Sequence, residues 1–392
     1  MTSEWNHSTI NDVCVLVTDG SHSSPKSVND GKYMVSVKDF TDYGFDFASC
    51  RMISNDDYET LKRNGCVPQM DDILIGKDGA RFFEDIIIYR QKEKPALLSS
   101  IAILRCDKSK ILPDFLYYVL RTPSFRQDVK DNYGSGSAIP RIILKDFKRM
   151  MVSYPSLEKQ QSIISVLTAI DSKIQANTEI NDNLQQQAAA LFSSLYDRSN
   201  TEVRFTNLIQ ILGGGTPKTG ENTYWNGNIA FFTPKDVGTP YTLITEKTIS
   251  KEGLSHCNSR LYPVNTVFVT ARGTVGKVGM SGVPMAMNQS CYALVGKETH
   301  QLLVYFYTLK AVDRLKHKAS GAVFDAITTR DFESEQIMKL SDDDATAFLR
   351  VAKPMFQEVL NNNIENLRLS TLRDSLLPKL MSGEIDVSAV QL

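Results

Sequence analysis

The strongest constraint on this chain is that it repeats itself. A single offset of 185 residues carries Ser135-Gly136, Ile142, Asp146 and Phe147 onto Ser320-Gly321, Ile327, Asp331 and Phe332. The same offset carries Ile163 onto Phe348, Ile170 onto Met355, Leu184 onto Leu369 and Leu191 onto Leu376. Upstream the match is looser. Gly20 to Pro25 answers Gly213 to Pro217, and Gly31 to Lys38-Asp39 answers Gly227 to Lys235-Asp236. Asp72 to Ile75 followed by Lys77 answers Thr266 to Val269 followed by Arg272. Self-similarity over half of 392 residues means two copies of one folding unit and an internal pseudo-twofold repeat.

Each copy ends in a helical tail. Ile163, Leu167, Ile170, Ile174, Asn177, Asn181, Leu184, Ala188, Leu191 and Leu195 follow alternating steps of four and three. Phe348, Ala352, Met355, Val359, Asn362, Asn366, Leu369, Arg373, Leu376 and Leu380 do the same. A period of 3.5 residues held this long predicts a coiled-coil seam rather than an ordinary amphipathic face. The first tail leads into the second globular part and the second tail leaves it, so a short return path makes the helices antiparallel. Aligning their midpoints sets Asn177 against Asn366 and Asn181 against Asn362. Such asparagine pairs cost stability and fix register. Pro354 interrupts the second tail, so that helix is expected to start or kink there, because an interior proline removes a hydrogen bond. Pro378 and Gly383 are expected to mark its end.

The globular parts mix short β-type runs with turn signals. Ile73–Ile75, Ile86–Tyr89, Ile101–Leu104, Ile229–Phe232, Val267–Thr270 and Cys291–Val295 read as strands. Asp114–Arg121, Phe125–Asn132 and Gln301–His317 read as helices. The expected fold is α+β: two similar mixed α/β domains (1–156 and 201–340), separated by two long helices (157–200 and 341–392) that form an antiparallel coiled coil.

Composition narrows the function classes. Lys and Arg number 44 against 45 Asp and Glu, which at first argues against a nucleic-acid binder. The distribution revises that impression. Residues 201–340 hold 15 basic and 11 acidic residues, and 1–156 hold 21 of each. The helical tails are acidic, with 3 basic against 5 acidic residues and 5 against 8. Both copies carry a basic cluster at equivalent places: Arg121, Arg126, Lys130, Arg141, Lys145, Lys148 and Arg149 in one, Lys310, Arg314, Lys316 and Lys318 in the other. Lys and Arg make the phosphate contacts that supply most affinity for DNA. No apolar run approaches the ~20 residues of a membrane span, and the start has no signal-peptide pattern, so a cytoplasmic protein is expected. The 6 cysteines form no Cys-x-x-Cys pair and no His-Glu-x-x-His occurs, so no metal site is expected. No ATP-binding Gly-x-x-x-x-Gly-Lys-Ser/Thr loop is present, and no Asn/Asp-Pro-Pro-Tyr/Phe motif for amino methylation.

The whole chain resembles the specificity (S) subunit of type I restriction–modification systems. The resemblance is carried by Pro155 to Gln160 leading to Ile170-Asp171, Lys173-Ile174, Asn177, Ile180-Asn181, Leu184, Ala188 and Leu191-Phe192. It is carried equally by Asn362, Glu365-Asn366, Leu372 to Leu380 and Ser382 to Ile385. The openings Asp19 to Pro25 and Gly213 to Pro217, with Tyr224-Trp225 and Gly227, are similar to the starts of target-recognition domains. Ser341 to Asp344 departs from the family's proline-led entry to the second helical region. The resemblance implies a subunit with no catalytic residues or cofactor of its own. It implies that each globular domain reads one half of a bipartite site in double-stranded DNA. The coiled coil would set the gap and dock two modification (methylase) subunits that methylate adenine with S-adenosylmethionine. Restriction subunits, which use ATP, would join that core.

Candidate DNA-binding residues are polar groups at matching places in the two copies. They are His22, Lys26, Lys38, Lys77 and Arg81 in the first and Lys218, Lys235, Arg272, Lys277 and Gln289 in the second, with Arg141 and Lys145 as backbone contacts. The competing reading is a two-domain protein-binding scaffold with a coiled-coil spacer.

Overall fold

A computed structural model describes residues 5–134, 140–238, 240–318 and 325–387. The repeated Ser135-Gly136 and Ser320-Gly321 lie outside the described residues. The chain divides into two compact units, one of residues 1–172 with 369–392 and one of residues 173–368.

In the first unit, β1 (Asn6–Thr9) leads to β2 (Cys14–Asp19), β3 (Lys32–Val35), β4 (Arg51–Ile53), β5 (Ile73–Gly76), β6 (Ile86–Ile88), β7 (Ala96–Leu97), β8 (Ile101–Cys106) and β9 (Met151–Tyr154). Three sheets result: antiparallel β2-β8-β5-β6, mixed β4-β3-β7 with β3 and β7 parallel, and the β1-β9 pair. Strand β5 is buried along its whole length, as a continuous Ile-Leu-Ile run requires when both faces are covered. Helices α1 (Pro113–Arg121) and α2 (Leu144–Arg149) pack with the sheet, and α3 (Leu157–Asp197) begins in this unit. Its core joins Ile73, Ile75, Phe115, Leu116 and Phe147 to Ile163, Ile164 and Leu167 of α3.

The second unit repeats this order. β10 (Thr201–Arg204), β11 (Ile209–Gly213), β12 (Trp225–Phe232), β13 (Tyr241–Thr242), β14 (Lys247–Ile249), β15 (Val267–Thr270), β16 (Val278–Ser281), β17 (Met285–Met287), β18 (Cys291–Gly296) and β19 (Gln336–Lys339) follow in sequence. The sheets are β11-β18-β15-β16-β13, β14-β12-β17 with β12 and β17 parallel, and the β10-β19 pair. Helices α4 (Gln301–Lys318) and α5 (Thr329–Ser334) correspond to α1 and α2, and α6 (Asp342–Met381) corresponds to α3. Apart from the short added edge strand β13 in the second unit and a small hairpin of Phe40–Thr41 with Gly44–Phe45 in the first, the sheets of the two units correspond. The internal repeat is therefore a repeat of topology, and the fold is two mixed α/β domains with two long helices.

The helices are longer than the seam required. Helix α6 starts at Asp342, not near Pro354, and runs through both Pro354 and Pro378. Its start is well defined. The Ser341 hydroxyl accepts from Asp344 N at 3.1 Å and donates to the Asp344 carboxylate at 2.9 Å. Three aspartates in the first turn also complement the helix dipole. Gly383, with φ +75°, follows the helix end. Pro354 is exposed, so the missing N–H lies on the wet face of the helix. Capping by Ser341 and burial of Phe348 and Ala352, both ahead of Pro354 in the helix, outweigh the lost bond.

Within the second unit α3 and α6 run antiparallel. Asn177 Nδ2 donates to Asn366 Oδ1 at 2.9 Å and to Glu365 Oε2 at 2.7 Å. Asn362 Nδ2 donates to Asn181 Oδ1 at 2.9 Å, and Asn181 Nδ2 donates to Asn363 Oδ1 at 2.9 Å. Asn177, Asn181 and Asn362 are buried. Towards the domain the seam turns apolar, with Phe192 stacked on Phe306 and edge-on to Phe348. In the first unit the same two helices meet through Arg373, which donates to Asp171 at 2.8 Å, while Tyr118 OH donates to the other Asp171 oxygen at 2.7 Å. Burial opposes the Arg373 charge, but the bonds to Asp171 and Asp374 outweigh it and raise its pKa.

Asn362→Ala should leave the Asn181 amide oxygen without its donor and destabilise the protein by about 1–3 kcal/mol in chemical denaturation. Leucine at both Asn181 and Asn362 should restore or raise stability while loosening register. Cysteine cross-linking along the helices would then show more than one pairing.

Candidate nucleic-acid interface

The candidate residues fall mainly at one end of each unit's sheets, where several loops are tied together. In the first unit Ser21 N donates to Leu97 O at 2.7 Å, Leu98 N to Val35 O at 3.0 Å, and Lys77 N to Ser100 O at 2.9 Å. Ile142 N donates to Lys77 O at 3.0 Å, which brings Arg141 alongside. Thus the segments after β2, after β3, between β5 and β6, and before α2 converge. They carry His22, Lys38, Arg81 and Arg141, all exposed, and Lys145 follows on α2.

The second unit is built alike. Gly215 N donates to Met287 O at 3.1 Å, Asn288 N to Phe232 O at 3.0 Å, and Ala271 N to Ser290 O at 2.8 Å. Thr274 Oγ1 donates to Pro234 O at 3.1 Å. Exposed Lys235, Arg272, Lys277 and Gln289 sit on these segments, and the Thr216 hydroxyl donates to Gln289 Oε1. The approach of the first loop to its neighbour demands glycine in both copies. A Cβ on Gly20 would lie 2.3 Å from Leu97 O, and one on Gly214 would lie 2.2 Å from Asn288 O.

Two candidates stand apart from this end. The Lys218 carbonyl accepts from Trp225 Nε1, at the start of β12 rather than its end. Lys26 follows Pro25, whose carbonyl accepts from Arg51 at 2.9 Å. Arg51, which also donates to Ser24 Oγ, orders this loop; its strand counterpart in the second unit is Lys247, and the sequence repeat does not align the two.

Lys77 is corrected by the structure. Its side chain is 8% exposed and pairs with Asp19 at 3.3 Å, so it is not presented to a ligand as a free cation. Nor is Arg272 its counterpart. Ala271 N donates to Ser290 O and Ala271 O accepts from Ile327 N, matching the two backbone bonds of Lys77. Arg272 therefore corresponds to Asp78, and the misalignment by one residue came from pairing basic side chains rather than strand ends.

The basic clusters are also partly neutralised. Arg314 and Lys318 bind the fully buried Glu335 at 2.9 and 2.6 Å. Lys310 donates to Ser193 and lies over the Tyr196 ring. Arg149 binds Asp146 at 3.0 Å and Lys130 reaches Glu84 at 3.5 Å. Burial lowers the pKa of Arg126, and the nearby Arg121 charge adds to this. Exposed charge in the first cluster is left chiefly with Arg141, Lys145 and Lys148. Among the described residues, no group of three or more His, Cys, Asp or Glu is placed to hold a metal ion. No described helix is long and apolar enough to cross a membrane.

Comparison with known proteins agrees with this duplicated design. The family described as "Type I restriction modification DNA specificity domain" matches residues 2–186 and again 199–339. The chain belongs to this family and carries two such domains. It is 24% identical over 369 residues to the type I restriction enzyme HindI specificity subunit of Haemophilus influenzae, covering 72% of this chain and 80% of that one. It is 22% identical over 307 residues to the MjaIX specificity subunit of Methanocaldococcus jannaschii, covering 71% of each. The fold is similar to that of a crystallised type I S subunit from M. genitalium, with a TM-score of 0.60 and 15% identity over 97% of this chain and 96% of that one.

Because Lys77 and Asp19 are both buried, Lys77→Ala should leave Asp19 with only the exposed His22 imidazole 3.3 Å away and destabilise the protein by up to about 3 kcal/mol. Replacing both, as Asp19→Asn with Lys77→Met, should recover much of that loss. Urea denaturation of the three variants checks the assignment.

Proposed function

We propose that this chain is the non-catalytic DNA-specificity subunit of a type I restriction–modification enzyme, each globular domain reading one half of a bipartite double-stranded site. The observation that carries the reading is the duplicated interface. Two domains of one topology gather exposed basic and amide side chains on the same tied loops. Phosphate contacts would come from Lys38, Arg81, Arg141 and Lys145 in the first domain and Lys235, Arg272 and Lys277 in the second. His22, on the loop after β2, and Gln289, on the loop between β17 and β18, are the candidates for reading base edges. The coiled coil sets the gap between half-sites and docks two modification subunits, and restriction subunits complete the complex. S-adenosylmethionine and ATP belong to those partners. A pure protein scaffold explains the coiled coil equally well, but gives no reason for matched cationic loops.

The test is co-expression with a type I modification subunit, followed by mapping of methyladenine across the host genome. A two-part motif with a fixed gap supports the reading, and an absence of new methylation overturns it. Inserting one heptad into α3, with a matching one in α6, should change the gap and leave both half-site sequences intact. In binding assays Lys235→Ala and Arg272→Ala should each weaken all sequences alike and reduce the slope of log K against log salt by about 0.9.

A further inference from the structure

The segment that leaves the middle sheet ends, in both domains, in one four-residue turn. It is Ser36-Val37-Lys38-Asp39 after β3 and Thr233-Pro234-Lys235-Asp236 after β12. In the first, Ser36 N donates to Asp39 Oδ2 at 2.8 Å, the Ser36 hydroxyl donates to the same oxygen at 3.0 Å, and Asp39 N donates to Ser36 O at 3.1 Å. In the second, Thr233 N and Thr233 Oγ1 donate to Asp236 Oδ2 at 2.7 and 2.6 Å, and Asp236 N donates to Thr233 O at 2.9 Å. The three bonds match one for one.

The chemistry of this turn separates two roles. The aspartate points inward. Asp39 is 4% exposed, and the second Asp236 oxygen accepts from Glu246 N at 2.7 Å. The lysine between points outward, and Lys235 is 80% exposed at its side chain. Lys38 and Lys235 are exposed, and neither forms an ion pair with the aspartate that follows it, while Lys235 reaches the exposed Glu246 carboxylate at 3.7 Å. A carboxylate next to a cation would normally weaken its pull on a phosphate. Here the aspartate carboxylate is engaged by backbone N–H and hydroxyl donors, so it does not hold the lysine beside it, and the surface pairing of Lys235 with Glu246 is one a phosphate can displace. Pro234 occupies the second position of its turn, where its fixed φ suits the bend, so the second copy reaches the same geometry with a different residue than Val37. Each turn also abuts the loop of the neighbouring sheet, through Thr274 to Pro234 in one copy and Val37 beside Gly76 in the other.

We propose that Asp39 and Asp236 are positioning residues, each holding its turn so that Lys38 or Lys235 meets a phosphodiester of the bound duplex. The inference rests on the DNA-reading function proposed above and deepens it. The two domains then share one sequence-independent anchor at the same place, and the dissimilar loops around Gly20–Pro25 and Gly214–Pro217 are free to differ in the bases they read.

The experiment is a double-mutant cycle on the full chain, co-purified with its modification subunit, binding a duplex that carries the methylated motif. Lys38→Ala should lower affinity about tenfold and reduce the salt slope by about 0.9. Asp39→Ala should do nearly the same. The double variant should be no weaker than Lys38→Ala alone, because the aspartate acts through the lysine. Ser36→Thr, which installs the other copy's residue, should bind as the wild type. Melting curves report folding separately. Should Asp39→Ala fail to fold, Ser36→Ala with Lys38→Ala completes the same cycle. Additive losses, or an Asp39→Ala variant with unchanged affinity and slope, overturn the inference while leaving the functional reading intact. A wild-type complex that retains no duplex overturns the functional reading and this inference together.

Discussion

The asparagine-centred seam between α3 and α6 is the interaction on which the rest of the second unit depends. Apolar heptad positions alone would let two such helices slide by one heptad at little cost, because each step replaces one hydrophobic pair with another. The amides of Asn177, Asn181, Asn362 and Asn366 make every other alignment leave buried donors unmet. Register in turn decides which helical residues reach the domain core. Ala188, Phe192 and Leu195 from one helix, and Phe348, Ala352 and Phe356 from the other, complete it together.

The two units solve the same helix–domain junction differently. The 185-residue offset sets Asp171 against Phe356 and Arg373 against Ala188. Where the first unit places a charged, hydrogen-bonded cluster of Tyr118, Asp171 and Arg373, the second packs Phe306, Phe356 and Ala188 among aromatic rings. A half-buried ion pair adds little net stability over a well-packed apolar contact, but a wrong partner would leave its charges unmet. The asymmetry gives the two junctions different pairing rules, so each helix end is matched to its own domain although the domains share a topology.

Much of this was legible in the sequence, for reasons that differ by element. The heptads and the repeat are periodic signals and survive the loss of identity between copies. Strands such as Ile73–Gly76 and Val267–Thr270 are buried runs bounded by turns, so local pattern sufficed. The start of α6 is hidden in the sequence because Pro354, taken alone, marks a helix boundary. Local capping by Ser341 and burial of Phe348 outweighed it. The interface was harder. Lys77 has the same letter whether it is solvated or paired with Asp19, and only three-dimensional proximity separates the cases. Glu335, which silences Arg314 and Lys318, stands apart from them in sequence and replaces Met150 of the first copy. Charge counting along the chain cannot see such pairings. What did carry through was the Lys38-Asp39 and Lys235-Asp236 correspondence, because it rests on a local turn whose bonds span only three residues.

The central claim is that the two domains are separate readers. The most direct measurement is to exchange residues 201–340 for the corresponding domain of another type I specificity subunit and determine the methylated motif by genome-wide mapping of methyladenine. The account predicts that one half of the motif changes to that of the donor, while the other half and the gap stay as before. A motif altered in both halves, or in neither, would contradict it.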